Sequence, residues 1–396
     1  MKKVLIALLL ASAVPAYAVP IKVAEAPFND LALTVMAIET AKTYLLVNIY
    51  DLSSKEIAAA LIERINAGVH VEVLEEGQPV GGIGPAGREI QAQLARAMAK
   101  AAGHDDHLYI MTSHTQLLGK RRFHYDHAKY IVADGENLLI GSENYSPTGN
   151  PVPGSVGNRG WEVFIHDADT TMQFQQMFRS DADLSKGDII DITLAAKDGS
   201  TMPAVDSTGF DRLKMIARTL PIFEAAAVHP IIAPNNSLKG LLALLDGARK
   251  SIDIQQMTLD SSWGPGAKSP LVLSLLAAAR RGVQVRALLN DESTFDHDGI
   301  PAKRKNVETL KILMEFAKNE RLPLEVRIAN VKAMGVDYIH NKGALVDGGL
   351  TLVSSINWDQ NAVMNNREAG MLIESSDIFS HYESLFEHDW AVSAQQ

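Results

Sequence analysis

His127-Ala128-Lys129-Tyr130-Ile131-Val132-Ala133-Asp134-Gly135 and His340-Asn341-Lys342-Gly343-Ala344-Leu345-Val346-Asp347-Gly348 are two copies of one pattern, 213 residues apart. Ser142-Glu143-Asn144 trails the first copy and Ser355-Ile356-Asn357 the second, at the same interval. A His and a Lys two residues apart point to the same face of a strand. Asp-Gly is a turn signal, so each motif reads as the first arm of a β-hairpin. Placing the turn centre between Gly135 and Glu136 sets His127 opposite Asn144 and Lys129 opposite Ser142. The same rule sets His340 opposite Asn357 and Lys342 opposite Ser355. Directly opposed Cβ atoms lie about 5 Å apart, so each copy predicts a compact His, Lys, Asn and Ser cluster.

The repeat extends beyond the motifs. Leu61 to Val71 matches Leu275 to Val285, with an apolar helix that stops at Gly68 or Gly282 and a Val-x-Val strand behind it. Ala41 to Tyr50 matches Ala248 to Gln255, and a helical stretch over 86–102 matches one over 302–319. Strands alternating with helices read as α/β. The expected architecture is two similar halves, each a mixed β-sheet flanked by helices. They pack as an internal pseudo-dimer with a shared site on the pseudo-twofold axis. The expected boundaries are a leader over 1–18, a first half over 19–190, and the connection plus second half over 191–396. A pseudo-dimer within one chain needs no second copy, so a monomer is expected.

Lys2 and Lys3, the apolar run Val4 to Val14, and Ala16-Tyr17-Ala18 have the layout of a signal peptide cleaved after Ala18. The mature chain would have 378 residues, a net charge of −12, and a secreted or periplasmic location. No later stretch reaches the about 18 uninterrupted apolar residues of a membrane span. A chain of 396 residues with 46% apolar and 21% charged residues is ordinary globular protein, which excludes disorder and a polytopic membrane protein. The absence of cysteine excludes thiol catalysis, zinc–thiolate sites and disulfides. The 37 Lys+Arg against 47 Asp+Glu, net −10, disfavour strong non-specific binding of nucleic acid unless a local basic cleft supplies it.

Two lysines and two asparagines supply cationic and amide donors around an anion, as a phosphate in reaction requires. Two imidazoles can divide the remaining work, one attacking phosphorus and the other protonating the leaving oxygen. Asp134 and Asp347 either orient an imidazole or cap the turn. Both copies are complete, which argues against a binding protein that has lost its chemistry.

At these residues the chain resembles the phospholipase D superfamily, whose mark is the duplicated His-x-Lys-x-x-x-x-Asp motif, and the flanking repeats extend the likeness over nearly the whole mature chain. The resemblance implies two α/β halves around one active site, a covalent phosphohistidine intermediate, and no metal or cofactor. It makes His127 the nucleophile and His340 the general acid, with Asp134 and Asp347 completing the catalytic motifs. Lys129, Lys342, Asn144 and Asn357, with Ser142 and Ser355, would line the phosphoryl site. Family members place a Glu after an Asn-Arg pair to orient a histidine. Asn366-Arg367-Glu368 fits, whereas Asn158-Arg159-Gly160-Trp161-Glu162 departs, with its Glu two residues late. The Pro/Gly-rich stretch 147–156 has no counterpart in the second half and reads as a loop at the mouth of the site.

Weaker features complete the reading. His104-Asp105-Asp106-His107 and Asp296-His297-Asp298-Gly299 read as polar turns before they read as metal sites. Lys120-Arg121-Arg122 is a solvated loop or a contact for a substrate phosphate. Trp161, Trp263, Trp358 and Trp390 are core candidates. The expected activity is a phosphodiesterase that hydrolyses phospholipid head-group esters. A secreted nuclease of the same superfamily, with nucleic acid as substrate, and a phosphatidyl transferase are the alternatives.

Overall fold

The structure, a computed structural model, describes residues 18–101, 105–112, 121–193, 210–296 and 300–393. The leader before Ala18, His104, Lys120 and His297-Asp298-Gly299 lie outside the described residues. The first half opens with β1 (Val19–Ala26), α1 (Asp30–Thr40), β2 (Tyr44–Ile49), α2 (Lys55–Asn66) and β3 (His70–Glu76). It continues with α3 (Pro85–Lys100), β4 (His107–Met111), β5 (Tyr130–Ala133), β6 (Asn137–Gly141) and β7 (Gly160–His166). It ends with α4 (Ala168–Asp181), β8 (Ile189–Asp191), α5 (Phe210–Thr219) and β9 (Ile222–Ala225). The second half comprises β10 (Ala227–Ala233), α6 (Ser237–Gly247), β11 (Ser251–Gln256), α7 (Pro270–Arg280) and β12 (Gln284–Leu289). Then follow α8 (Lys305–Glu320), β13 (Leu324–Ile328), α9 (Val331–Met334), β14 (Lys342–Val346) and β15 (Leu350–Ser354). The last elements are α10 (Gln360–Met364), β16 (Glu368–Glu374) and α11 (Ser376–Val392).

The sheets run β8-β4-β3-β2-β5-β6-β7-β1-β9 and β10-β16-β15-β14-β11-β12-β13. Without the edge strands β8 and β9, the first order repeats the second strand for strand. In both, three parallel strands meet an antiparallel hairpin, at β2–β5 and at β11–β14. The fold is therefore α/β with two mixed sheets, and Gly68 and Gly282 take the positive φ expected of them, 84° and 90°. Strands β5 and β14 are buried along their whole length, because helices cover one face and the opposite half covers the other. One apolar cluster fills each half beneath its helices. A third lies between the halves, where Tyr130, Trp161 and Phe174 join Leu345, Met371 and Tyr382. All four tryptophans are buried.

The hairpin register differs by one residue from the sequence expectation. Tyr130 pairs with Ile140 and Ala133 with Asn137, while Ala344 pairs with Leu352 and Val346 with Leu350. Asp134 and Asp347 take left-handed conformations, φ 54° and 57°, and leave the strand for a three-residue loop. This sets Lys129 beside Gly141 instead of Ser142, and Lys342 beside Ser354 instead of Ser355.

The halves are stitched where each motif begins. His127 N–H donates to the Arg367 carbonyl at 2.8 Å and His340 N–H to the Arg159 carbonyl at 2.9 Å. The reverse bonds, Arg367 N–H to Tyr125 and Arg159 N–H to Tyr338, close two short parallel bridges. Both arginine side chains are buried and reach into the opposite half. Arg367 Nη2 donates to Asp181 at 2.9 Å, and Arg159 Nη2 to Asp389 at 3.0 Å. Their Nε atoms lie 2.7 and 2.8 Å from the second carboxylate oxygens.

Removing one member of a buried pair leaves the other charge uncompensated, so Arg367→Met should cost about 3–5 kcal/mol in urea unfolding. Adding Asp181→Leu to that variant should recover part of the loss. Strictly additive losses would show that the two side chains do not depend on each other.

Candidate active site

Each histidine meets a carboxylate from the other half. His127 Nδ1 lies 2.8 Å from Glu368 Oε2. His340 Nδ1 lies 3.1 Å from Glu143 Oε2, at an angle too bent for a full hydrogen bond. The carboxylates rest in matching cradles. Ser355 donates to Glu368 at 2.6 Å and Asn366 Nδ2 at 2.9 Å. Ser142 donates to Glu143 at 3.3 Å and Asn158 Nδ2 at 2.9 Å. Lys129 and Lys342 are almost fully buried, and each ammonium donates back to the carbonyl of its own motif histidine. Lys129 Nζ sits 5.2 Å from the centre of the Tyr50 ring, and Lys342 Nζ 3.5 Å from Met257 Sδ. The Tyr50 ring also packs edgewise on His127, and Tyr338 edgewise on His340.

The electrostatics join these groups into one site, since both lysines act on both imidazoles. Burial, then Lys129 and Lys342, hold His127 well below the usual imidazole value. Burial and Lys342 pull His340 down to about 4 against the pull of Glu143. Burial lowers Lys129 to about 8 despite the surrounding carboxylates, and lowers Lys342 well below the usual lysine value. Burial raises Glu368 to about 7, opposed by Lys129, Asn366 and Ser355. Burial also pushes Glu143 up, but His340, Lys342 and Asn158 outweigh it and hold the carboxyl below its ordinary value. An anion between the lysines would favour their charged forms and oppose the depression of both imidazoles.

Several sequence expectations change. Asp134 and Asp347 orient no imidazole. Asp134 accepts from the backbone N–H groups of Lys42, Thr43 and Tyr44 at 2.7–3.0 Å, and Asp347 from those of Arg249, Lys250 and Ser251 at 2.7–3.0 Å. Each aspartate fastens its hairpin turn to the start of the neighbouring strand. Ser142 and Ser355 do not line a phosphoryl site, because their buried hydroxyls serve the two carboxylates and accept from Trp161 and Ala369 N–H. Glu368 is the partner of His127, the histidine-orienting place that the resemblance implied for it. Glu162 touches neither histidine; it accepts from the Thr34 hydroxyl at 3.1 and 3.2 Å. Asn144 and Asn357 each keep a buried Oδ1 without a protein partner.

Sequence reasoning missed Glu143, Tyr50, Asn158 and Asn366. A glutamate inside Ser142-Glu143-Asn144, combined with Gly160 where the second half has Glu368, was the available signal. Of the basic cluster, the two described arginines are spent within the fold. Arg121 pairs with Glu76, and Arg122 Nε lies 2.9 and 3.0 Å from the Asp188 carboxylate oxygens. His107 is engaged by Asp191 at 2.7 Å and Asp105 at 3.1 Å. Among the described residues no group of such side chains is arranged to hold a metal ion. Pro147, Asn150, Val152 and Ser155 of the 147–156 loop line a groove of about 490 Å³ with Ser53 and Ile90.

The family model described as cardiolipin synthase, PLD-like domain, matches the chain twice, at residues 35–182 and 241–390. Mitochondrial cardiolipin hydrolases of Xenopus laevis and Xenopus tropicalis are each 26% identical over 161 residues, 41% of this chain. The chain spans 64% of the length of these curated relatives. The crystal structure of phosphatidylserine synthase from Haemophilus influenzae Rd KW20 shares the fold with a TM-score of 0.67 at 15% identity, over 93% of this chain and 86% of that one.

With Lys129 lowered to about 8, its ammonium is charged below that pH and lost above it. The kcat/KM for bis(p-nitrophenyl) phosphate reports groups of the free enzyme and should fall above about pH 8. Lys129→Arg, which stays charged at all accessible pH, should move this edge upward by more than about one unit. An unmoved edge would assign it to another group.

Proposed function

Because the chain belongs to the phospholipase D-like family, we propose that it is a phosphodiesterase that hydrolyses the head-group ester of a phospholipid. The observation that carries this reading is the pair of histidines, each oriented by a carboxylate of the opposite half between two buried lysines. Glu368 engages Nδ1 of His127 and leaves Nε2 to attack phosphorus. The P–O bond to the head group breaks as His340 gives its proton to the leaving oxygen, and a phosphohistidine remains. His340, now neutral, takes a proton from water as the water attacks phosphorus, and the P–N bond breaks. Lys129 and Lys342 stabilise charge on the phosphoryl oxygens, with Asn144 and Asn357 as further donors. A phosphate anion between the lysines offsets their depression of His340, which raises that imidazole toward its charged form as substrate binds.

Two observations support lipid over nucleic acid. Arg121 and Arg122 are already paired to carboxylates, so they offer a polyphosphate chain little. Similar proteins include cardiolipin hydrolases. We also infer export with cleavage after Ala18; β1 starts at Val19, so the cleavage removes no described element.

His127→Ala should abolish covalent labelling by substrate, whereas His340→Ala should still label with a p-nitrophenyl ester, whose leaving group needs no acid. EDTA should leave turnover unchanged. Labelling that depends on His340 instead would reverse the two roles.

The substrate is tested by kcat/KM on phospholipid vesicles and on plasmid DNA at one salt concentration. Head-group release with intact plasmid is expected. Plasmid cleavage with steep salt dependence would indicate a nuclease, and head-group exchange in added alcohol without net hydrolysis a transferase. Intact mass of exported protein should begin at Val19.

A further inference from the structure

The central strands β2 and β11 correspond at an interval of 207 residues, since Leu45 faces Ala133 as Ile252 faces Val346. On that interval Tyr50 and Met257 occupy one place, just past the end of each strand. Both reach the lysine of their own half, Tyr50 with its ring centre 5.2 Å from Lys129 Nζ and Met257 with its sulfur 3.5 Å from Lys342 Nζ. Each half thus sets a soft, uncharged group against a buried ammonium. A carboxylate there would form an ion pair and spend the charge, whereas a ring face attracts the cation without taking its hydrogen bonds. Tyr50 does more than Met257. Its ring lies 4.6 Å from that of His127 at 69°, so one side chain bears on both members of the His-x-Lys pair. Its hydroxyl accepts from Val80 N–H at 2.7 Å, which fixes the tilt of the buried ring. The charged and titratable groups that face Lys129 are Glu368, Asp126, Glu143 and Asp51, the Lys342 ammonium, and the two motif imidazoles. Among the described residues none of the four carboxylates forms an ion pair with Lys129, whose ammonium donates to the His127 carbonyl. The carboxylates act on it from a distance, and the ring acts within cation–π range.

We propose that Tyr50 is a positioning residue for the His127–Lys129 pair, a ring that holds the Lys129 ammonium toward the phosphoryl oxygens while packing on the nucleophile. The proposal rests on the reading of Lys129 as a phosphoryl-binding cation. Tyr50 makes no bond to the substrate and acts through the two groups that it touches. Its face favours the ammonium over the neutral amine, which opposes the loss of the Lys129 proton that burial promotes. The tie from its hydroxyl to Val80 keeps the ring from turning away from the pair.

The test uses the full chain carrying ¹³C at lysine Cε, with the Lys129 signal assigned by its loss in Lys129→Arg. Tyr50→Leu removes the ring face and keeps the position apolar, so it should lower the Lys129 titration midpoint by about half to one and a half pH units. Tyr50→Phe keeps the face and loses the tie to Val80, so its midpoint should stay within error of the wild type. At a pH below both midpoints Lys129 is charged in either protein. There Tyr50→Leu should still lose about tenfold in kcat on bis(p-nitrophenyl) phosphate, with KM little changed, because the pair is misplaced. A Tyr50→Leu variant that melts with the wild type and keeps its midpoint overturns the proposal, as does a Tyr50→Phe midpoint lowered as far as that of Tyr50→Leu. Should Tyr50→Leu fail to fold, Tyr50→Met, which copies the second half at this place, is read in the same way. The alkaline edge of kcat/KM should follow the midpoint. A midpoint that moves under an unmoved edge upholds the hold of Tyr50 on Lys129 and overturns instead the reading of Lys129 as the phosphoryl-binding cation.

Discussion

Two buried arginines that cross between the halves hold the molecule's chemistry in place. Arg159 belongs to the first half and ends on Asp389 of the second; Arg367 belongs to the second and ends on Asp181 of the first. Their backbones hold the N–H groups of the two motif histidines. A guanidinium buried without a carboxylate is prohibitive, so each arginine permits only a packing that brings the opposite aspartate to it. The same residues fix the phase of both His-x-Lys strands. Interface and active site are thus one construction, and neither half can assemble its site alone. The apolar contribution reinforces this arrangement. Trp161 stacks on Tyr382, and its ring occupies the space that a Cβ on Gly343 would need.

The pseudo-symmetry is closest where packing demands it and weakest where chemistry differs. Strand order, bridges, arginine pairs and serine–asparagine cradles repeat in both halves. The carboxylate anchors do not, and neither do the neighbours of the lysines, Tyr50 in one half and Met257 in the other. The two imidazoles therefore sit in different electrostatic environments. Divergence at these few positions is sufficient, because burial amplifies each small electrostatic difference.

The sequence carried the fold well because its signals are local and duplicated. The helix-Gly-strand units at Gly68 and Gly282, and the motifs at a constant interval, report α/β halves without any tertiary information. The site was legible only in part. The hairpin register depended on whether Asp134 stays in the strand, and that is decided by the N–H groups of Lys42, Thr43 and Tyr44, some ninety residues away in sequence. Ser142 and Ser355 looked like ligands because their spacing from the histidines is regular; their actual partners are carboxylates. Glu143 was hidden for a different reason. Its histidine lies in the other half, so neither periodicity nor local spacing links the two.

The lysines show why the site suits an anion. Both are buried, and burial lowers both from the usual lysine value. Each ammonium turns back onto its own motif carbonyl, and that of Lys342 also meets Met257 Sδ, which leaves donors on both for an anion. A phosphodiester placed between them supplies the missing acceptors and the missing negative charge together. An anion held there would favour the charged forms of both lysines and of His340. An extended polyanion would bring further charges to a region where Arg121 and Arg122 are already neutralised by Glu76 and Asp188.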